Sequence, residues 1–432
     1  MGDSQFHLLK TRRFLPLFVT VLLGAANDNV FKNALLILIL FTLGREVPME
    51  EAVLVTLASG IFILPFFIFS ATAGQLADKY EKSRMIRWIK LAEVVIMGAG
   101  VAALQFGDVY WLLTVLFFMG VQSSFFGPLK YSILPTLLRK NELIGGNAFV
   151  EAGTFLAILV GTIVGGLTAG WENGVNIVAA IVFGLAVIGW ICSYGIPQSA
   201  APQPELTISY NIVTQTYRII RRIRADRPVY RSILGISWFW LVGITLLTQF
   251  PNLAKSHFNA DHELITFLMV VATVGISIGS MFCNGLLKGE ISAKYAPAAA
   301  FGMSVFMADL WFASPEGPGA ATMTLGMFLE APENWRVIAD LLGVSICGGI
   351  FAVPLYAMMQ TLSDEKERSQ VVAGNNILNA LFMAVGSVVA GMILDAGYSV
   401  PDLFLIVAVL NLGIVYYMQR LRRELGSSPE GD

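Results

Sequence analysis

Twelve long apolar runs limit what this chain can fold into. A helix needs about 20 residues to cross the hydrocarbon core of a bilayer, and each run is close to that length or longer. We predict transmembrane helices near residues 15–43, 52–75, 87–104, 110–134, 147–169, 176–195, 232–253, 263–287, 296–313, 336–359, 370–394 and 401–419. These spans and their short loops use nearly all of the 432 residues. The sequence therefore predicts an all-α membrane protein without a large extramembrane domain.

The composition supports a lipid environment and argues against a metal site. Hydrophobic residues make up 56% of the chain and charged residues 13%, against about 25% charged residues in soluble domains. The first apolar run is too long for a signal-peptide core, so we expect it to be retained as a helix. Cys192, Cys283 and Cys347 fall inside separate apolar runs, with neither zinc-site nor disulfide spacing. We therefore expect no metal and no cofactor.

The distribution of basic residues predicts the orientation in the membrane. If the N-terminus is cytoplasmic, only Arg45, Lys255 and Arg336 of the 28 Lys and Arg residues fall in outer loops. Basic residues near helix ends are retained on the cytoplasmic side of a membrane. We therefore expect both termini to be cytoplasmic.

A basic linker separates the first six spans from the last six. It covers residues 197–231, between a six-helix bundle at residues 1–196 and a second bundle at residues 232–432. Its segment YRIIRRIRADRPVYR interleaves arginines with apolar residues, which fits an amphipathic helix on an anionic inner leaflet. An ordinary positively charged cytoplasmic loop has the same composition, so both interpretations stay open.

The two halves carry similar sequence blocks at similar positions. FFGPLKYSILPTL at the end of the fourth span corresponds to FAVPLYAMMQTL at the end of the tenth. The blocks GGNAFVEAGTFLAILVG and AGNNILNALFMAVG then follow at nearly the same separation. Two six-helix halves joined by a cytoplasmic linker resemble the major facilitator transporters, in which the solute site lies between the halves near the midplane.

The loop after the second span, GQLADKYEKSRMIRW, resembles the gating signature of the same transporters. Its Gly permits close helix contact, and its Asp can accept hydrogen bonds from a helix end when the inner side is closed. The predicted gating residues are Gly74, Asp78, Lys82 and Arg84. The equivalent loop of the second half keeps Gly285 but has no Asp, so we expect an asymmetric gate. An incidental Asp in a positively charged loop is the alternative.

Asp28 and Lys32 are predicted to be the only ionisable residues about halfway through a span. A charge there costs on the order of 3 kcal/mol, so both should face a cavity or a partner rather than lipid. Their spacing of four places them on one helix face, which allows an internal ion pair. Asn27, Asn29 and Asn33 add hydrogen-bonding groups that pairing alone would not need. We favour a polar patch that lines the transport path.

Other candidates lie elsewhere in the predicted bundle. Lys130 and Glu151, near the inner ends of the fourth and fifth spans, could extend to the interface or pair across the helix hairpin. Two further pairs at helical spacing are predicted to be interfacial, with little functional weight: Lys90 with Glu93, and Arg336 with Asp340. The remaining candidates for substrate binding are Tyr131, Trp238, Trp240, Asn375 and Asn379.

Five blocks together resemble the bacterial lysophospholipid transporters of the major facilitator superfamily. They are AANDN, GQLADKYEKSRM, FFGPLKYSILPTL, AFVEAGTFLAILVGTIVGG, and FAVPLYAMMQ followed by GNN. In that family the transporter domain stands alone or precedes acyltransferase and acyl-carrier-protein synthetase domains, which are therefore candidate functional partners. WFWLVGITLLTQFPNLA looks closer to the fused branch. Leu247, Thr248 and Gln249 stand where some stand-alone relatives have a basic residue, which puts phosphate recognition by the seventh span in doubt.

The resemblance implies a flippase of the bacterial inner membrane. It would move lysophosphatidylethanolamine and related lysolipids from the outer to the inner leaflet, where they are reacylated. Alternating access would occur by rocking of the two halves in a monomer that binds membrane lipids and no nucleic acid. Asp28 would lie near the head-group site, Lys32 or Lys130 would meet the phosphate, and Asp78 would belong to the inner gate.

Three rival functions stay open at this point. A proton-coupled exporter of amphipathic molecules would share the fold, although the fourth span lacks the membrane-embedded Arg of many such exporters. A lipid acyltransferase commonly needs a His followed by four residues and an Asp, and His7, His257 and His262 all lack that Asp, so we expect no enzyme. The third rival is a nontransporting membrane partner of a separate acyltransferase.

Overall fold

A computed structural model shows a helical protein. It describes residues 5–43, 51–314 and 322–426. Within those ranges twelve helices are long and apolar enough to cross a membrane, and no β-strand is formed. The all-α fold with twelve membrane-crossing helices is therefore confirmed. The predicted outer-loop position of Arg45 falls outside the described residues.

The helices follow one another in the predicted order. They are α1 (Leu15–Leu38), α2 (Glu51–Lys79), α3 (Lys82–Phe106), α4 (Val109–Ser132), α5 (Leu134–Leu137), α6 (Leu143–Ala169), α7 (Gly174–Ser193), α8 (Ile212–Ala225), α9 (Arg227–Phe258), α10 (His262–Leu287), α11 (Ala296–Ala313), α12 (Leu325–Glu330), α13 (Asn334–Leu362), α14 (Arg368–Asp395) and α15 (Val400–Gly426). All except α5, α8 and α12 are membrane-crossing. Several begin earlier than predicted, because charged residues beyond the hydrocarbon core continue the helix.

The first compact unit combines segments that are distant in the sequence. It contains the residues up to Gly146, Gly153–Ala225 and Ser363–Ile377. Within it α6 packs directly on α1, since an ideal Cβ on Gly165 would lie 2.3 Å from the carbonyl oxygen of Val30. Glycine at this contact allows the two backbones to approach closely.

The second compact unit contains Asn147–Ala152, Asp226–Leu362 and the residues from Leu378. Its helices α10 and α13 make the same kind of contact, since an ideal Cβ on Gly279 would lie 2.0 Å from the carbonyl oxygen of Ile346. The division at the linker into two six-helix bundles stays a prediction.

The predicted linker contains α8, an amphipathic helix of the first unit. Its buried residues are Gln215, Ile219 and Ile223. The two isoleucines pack on α14, where an ideal Cβ on Gly374 would lie 2.3 Å from Ile223 Cδ1 and 2.9 Å from Ile219 Cγ2. The apolar face of α8 is therefore used for packing on the protein, and contact of its other face with a leaflet stays a prediction.

Glu81 fixes the turn between α2 and α3. Its carboxylate accepts hydrogen bonds from the amides of Ser83 at 2.8 Å, Arg84 at 2.7 Å and Ser199 at 3.0 Å. Burial alone would raise the pKa of Glu81, but these amide hydrogen bonds hold it below its usual range. The carboxylate thus caps α3 and attaches the segment after α7 to the same turn.

We expect Glu81→Gln to destabilise the protein at neutral pH by about 1 kcal/mol or less, because Gln keeps an acceptor but loses the charge. Since the folded pKa is depressed, the contribution of the carboxylate is complete above the unfolded pKa of about 4.3 and is lost as the pH falls through the folded value. The difference in unfolding temperature between the wild type and E81Q should shrink on acidification. The exposed Glu205→Gln is the control, and a difference that does not change with pH would contradict the cap.

Candidate functional site

Glu93 is the centre of a buried hydrogen-bond network in the first unit. This α3 residue is 2% exposed, and its Oε2 forms a salt bridge with Lys90, one turn earlier. Asn27 Nδ2 of α1 donates to Oε1 at 2.9 Å, and Gln122 Nε2 of α4 donates to Oε2 at 2.9 Å. One carboxylate thereby connects three helices. We call Asn27, Lys90, Glu93 and Gln122 the Glu93 network.

Two glycines leave space for the ammonium end of Lys90. An ideal Cβ on Gly24 would lie 3.0 Å from Lys90 Nζ, and one on Gly189 would lie 3.0 Å from Lys90 Cε. The Lys90 Nζ is also 5.7 Å from the centroid of the Phe126 ring, within range of a cation–π interaction. These contacts partly compensate for the hydration that the buried ammonium has lost.

The prediction that Lys90 and Glu93 form an interfacial pair was wrong. Their side chains are 0% and 3% exposed. Because α3 begins at Lys82 rather than near residue 87, a rise of 1.5 Å per residue places the pair roughly 12–17 Å from the helix start. Asp28 and Lys32 are therefore not the only ionisable residues deep in a span.

Arg336 has a different partner from the one predicted. Its guanidinium binds both carboxylate oxygens of Asp309 on α11, with Nε donating to Oδ2 at 2.8 Å. Within the described residues no salt bridge joins Arg336 to Asp340, four positions along its own helix. Packing of α11 against α13 brings the Asp309 carboxylate within reach, and the two-point geometry favours it. The side chains are 51% and 36% exposed, so solvent screens this pair and it contributes little to stability.

The Glu93 network continues to Asp28 through two adjacent residues of α4. Gln122 Oε1 lies 3.2 Å from Ser123 Oγ, which lies 2.7 Å from Asp28 Oδ2. A hydroxyl has a single hydrogen, so Ser123 donates to Asp28 or to Gln122 but not to both at once. Ser123 therefore lies between the buried Glu93 network and the half-buried Asp28, and its hydroxyl donates to only one side at a time.

The polar face of α1 is not closed by an internal ion pair. In the described part of the chain no salt bridge joins Asp28 to Lys32, and both side chains are partly exposed. The Lys32 Nζ lies 5.9 Å from the centroid of the Phe62 ring. Asn29 Nδ2 donates to the backbone carbonyl of Ala25, one turn earlier on the same helix, at 2.8 Å. The Asn29 side chain therefore folds back onto α1. The structure thus has an acidic and a basic side chain one turn apart with no salt bridge between them.

The predicted gating residues Gly74 and Asp78 lie against the first turn of α14. The buried Asp78 carboxylate accepts hydrogen bonds from Ser369 N at 2.9 Å, Gln370 N at 3.1 Å and Gln370 Nε2 at 3.2 Å. An ideal Cβ on Gly74 would lie 2.7 Å from Ala373 Cβ and 2.9 Å from Gln370 Cα. Asp78 therefore caps a helix that begins almost 300 residues later in the chain. The other predicted gating residues are Lys82, which is buried, and Arg84, which is exposed.

Three candidates of the second unit are used in contacts between helices. Trp238 Nε1 donates to Asn411 Oδ1 of α15 at 2.8 Å. Trp240 Nε1 donates to the hydroxyl of Tyr356 on α13, also at 2.8 Å. Asn379 Oδ1 accepts a hydrogen bond of 2.8 Å from a serine of α9. Each of these polar groups therefore holds two helices together. Their role in substrate binding stays a prediction.

The other predicted site residues are divided between the units. In the first unit Lys130 Nζ lies 4.9 Å from the centroid of the Tyr131 ring, and Tyr131 is 2% exposed. Asn375, also in the first unit, is fully buried, and neither polar atom of its side chain has a hydrogen-bond partner among the described residues. Glu151 is buried in the second unit, so its pairing with Lys130 stays a prediction.

Sequence reasoning missed Gln122 and Ser123, which lie between the two charged regions. The signal was a run of three polar residues, QSS, inside the otherwise apolar fourth span. Such a run shows that one face of a helix is polar, but the rotation of α4 toward α1 and α3 depends on tertiary packing.

Comparisons with known proteins agree with this architecture. The family model for the Major Facilitator Superfamily matches residues 17–329. The lysophospholipid transporter LplT of Escherichia coli O1:K1 / APEC is 28% identical over 324 residues, which are 73% of this chain and 72% of that protein. The human organic anion transporter MFSD10 superposes with a TM-score of 0.74 at 14% identity, over 94% of this chain and 99% of that one. The transporter FucP in its outward conformation gives 0.71 at 12% identity, over 94% and 98%. At these identities the two structures establish the fold.

We expect Glu93→Gln to cost about 3–5 kcal/mol of stability, because it leaves the buried Lys90 ammonium without its counter-charge. The double variant Lys90→Met with Glu93→Gln should recover most of that loss, since it removes the unpaired charge as well. Unfolding temperatures of the purified protein in detergent measure both effects, with the exposed Glu172→Gln as the control. A double variant no more stable than E93Q alone would contradict the pairing.

Proposed function

Because the chain belongs to the major facilitator superfamily, we propose that it moves lysophospholipids across a bacterial inner membrane. The protein is a multi-pass membrane transporter and not an enzyme. In the proposed transport, lysophosphatidylethanolamine and related lysolipids pass from the outer to the inner leaflet by alternating access. The similarity to a protein named as a lysophospholipid transporter supports this substrate class. The bias of basic residues supports cytoplasmic termini.

The observation that carries the proposal is the partly exposed pair of opposite charges on α1. The head group of lysophosphatidylethanolamine has an ammonium and a phosphate. Residues four apart on a helix lie about 5–6 Å from each other, so Asp28 can meet the ammonium while Lys32 meets the phosphate. Ser123 holds the Asp28 carboxylate at 2.7 Å and thereby fixes its direction. A zwitterionic ligand would neutralise both side chains without adding net charge to the membrane interior.

We keep the rest of the predicted set as proposed substrate-binding residues. It consists of Asn29, Lys130, Tyr131, Glu151, Trp238, Trp240, Asn375 and Asn379. The buried Asn375 amide supports its inclusion, because polar groups without partners are rare in protein interiors and a ligand could satisfy it. Since the Trp238 and Trp240 indole N–H groups already donate within the protein, we assign their rings to the acyl chain.

Transport of lysophosphatidylethanolamine into proteoliposomes that contain only this protein is the direct test. We expect Asp28→Asn to lower the rate at least about tenfold, since the ammonium loses its counter-charge in a region of low dielectric. Lysophosphatidylglycerol has no ammonium, so its transport should fall much less. Asp395→Asn, an exposed carboxyl at the end of α14, is the matched control. Equal losses for both lysolipids would refute head-group recognition by Asp28, and no lysolipid transport by the wild type would refute the function.

We assign the contact of Gly74 and Asp78 with α14 to the closed inner gate. Opening requires the first turn of α14 to leave the Asp78 carboxylate, so its three hydrogen bonds must be exchanged for water. The second half has Gly285 at the equivalent position, where an ideal Cβ would meet nothing within 4 Å. The two repeats are therefore expected to contribute unequally to gating.

The glycines of the two repeats give a matched test of this gate. Gly74→Ala should slow lysolipid transport at least about tenfold, because a Cβ at 2.7 Å from Ala373 Cβ prevents close approach of α14. Gly285→Ala should leave the rate within about twofold, since its Cβ enters open space. The initial rate in proteoliposomes measures both. Similar rates for the two variants would contradict the assignment.

A second function is supported by the Glu93 network. Its buried acid and base contact Gln122, and the Ser123 hydroxyl can donate either to Gln122 or to Asp28. A proton-coupled exporter of amphipathic molecules could use this arrangement. Collapse of the proton gradient separates the two functions, since only the exporter would stop. We also propose that the protein is a monomer with a functional link to acyltransferase and acyl-carrier-protein synthetase. No flux from the wild type would favour the third alternative, a nontransporting partner.

A further inference from the structure

A surface cavity lies beside the proposed gate, and no step of transport described above uses it. It has a volume of about 570 Å³ and is formed between α8, the segment before α8, the end of α2 and the start of α14. All of these elements belong to the first unit. The cavity is therefore part of the linker region rather than of the polar face of α1.

The charges that line the cavity are mainly positive. Arg218, Arg221 and Arg222 of α8 face a single carboxylate, Glu367, among the lining residues. Arg222 forms a salt bridge with Glu367. Within the described residues Arg218 and Arg221 make no ion pair, so two positive charges remain for a ligand. Guanidinium groups favour phosphoryl oxygens, which they can bind at two points.

The size and the apolar part of the lining indicate more than a free inorganic ion. Small-molecule sites usually measure about 300–1,000 Å³, whereas a water molecule occupies about 30 Å³, and inorganic phosphate is only a few times larger. Leu206, Ile219 and Val371 line the cavity together with the arginines. The lining therefore fits a phosphodiester that carries an apolar group, which is the chemistry of a phospholipid.

The cavity shares a wall with the contact at Asp78. Gln370 lines the cavity, accepts a hydrogen bond of 3.1 Å from Gln215 Nε2 of α8, and donates to Asp78 from both its amide and its side chain. On the α2 side Gln75 exchanges two hydrogen bonds with the backbone of Ser209, at 2.8 and 3.1 Å. A ligand that holds α8 in place would thus also hold the first turn of α14 on α2.

We propose that this cavity binds the phosphodiester head group of an anionic phospholipid, and that the bound lipid stabilises the contact between Asp78 and α14. The lipid is a resident regulator and not the transported solute. The chemistry of the site requires only the arginines of α8, so the inference does not depend on the identity of the solute. A membrane rich in anionic lipid would favour the closed inner gate.

The test compares a double variant, which carries both Arg218→Gln and Arg221→Gln, with the control variant Arg227→Gln. Arg227 is an exposed arginine close in sequence that does not line the cavity. Delipidated protein in detergent is titrated with phosphatidylglycerol, and the bound lipid is counted by native mass spectrometry. We expect the double variant to lose affinity at least about tenfold and R227Q to keep it within about twofold. Phosphatidylglycerol should also raise the unfolding temperature of the wild type but not that of the double variant.

Three results would overturn the proposal. Equal loss in the double variant and in R227Q would show that surface charge, not the cavity, retains the lipid. If inorganic phosphate raised the unfolding temperature as much as phosphatidylglycerol at equal concentration, the cavity would be a site for a free anion. Phosphatidylcholine that binds as tightly as phosphatidylglycerol would exclude recognition of an anionic lipid. Lipid binding is measured in detergent and does not require transport. Loss of the proposed lipid site can therefore be distinguished from failure of the protein to transport lysolipids.

Discussion

A charge inside a membrane-spanning bundle has to be satisfied by other groups of the protein, because hydrocarbon supplies neither water nor hydrogen bonds. Glu93 meets this requirement with contacts from three side chains on three helices. Those contacts fix the rotations of α1, α3 and α4 relative to one another. The rotation of α4 then places Ser123 on the Asp28 carboxylate. The proposed head-group site therefore depends on a buried network that has no need to touch the solute.

Close helix packing supplies the other part of the scaffold. In lipid the hydrophobic effect does not draw helices together, so small residues at the contacts become important. Gly165 brings α6 onto α1 in the first unit, and Gly279 brings α10 onto α13 in the second. At both glycines an added Cβ would meet a backbone carbonyl oxygen, which cannot move aside as a side chain could. Substitution at either position would therefore displace a helix axis and not merely a rotamer.

The sequence predicted the helices well because long apolar runs and their charged ends are local features. It also predicted that Asp78 would meet a helix end, since the surrounding motif is local too; the gating role of that contact is a proposal. The Glu93 network was missed for two physical reasons. The basic start of α3 has the composition of a loop, which predicts a position for Lys90 too near the surface. The partners of Glu93 lie on helices whose rotation no local pattern specifies. Arg336 was assigned to Asp340 by helical spacing, whereas packing of α11 on α13 supplied Asp309.

The proposed inner gate depends on a single capped helix start, which a bound solute could displace. Each hydrogen bond to a carboxylate contributes about 1.5–3 kcal/mol, but water that enters the opening gate replaces most of this energy. The net difference between closed and open states can then be only a few kcal/mol, which the unequal binding of a solute to the two states can supply. A second acidic cap at the equivalent loop of the other repeat would add to the cost of opening. The absence of an Asp from NGLLKGEISAKY is therefore consistent with a gate that closes firmly and still opens.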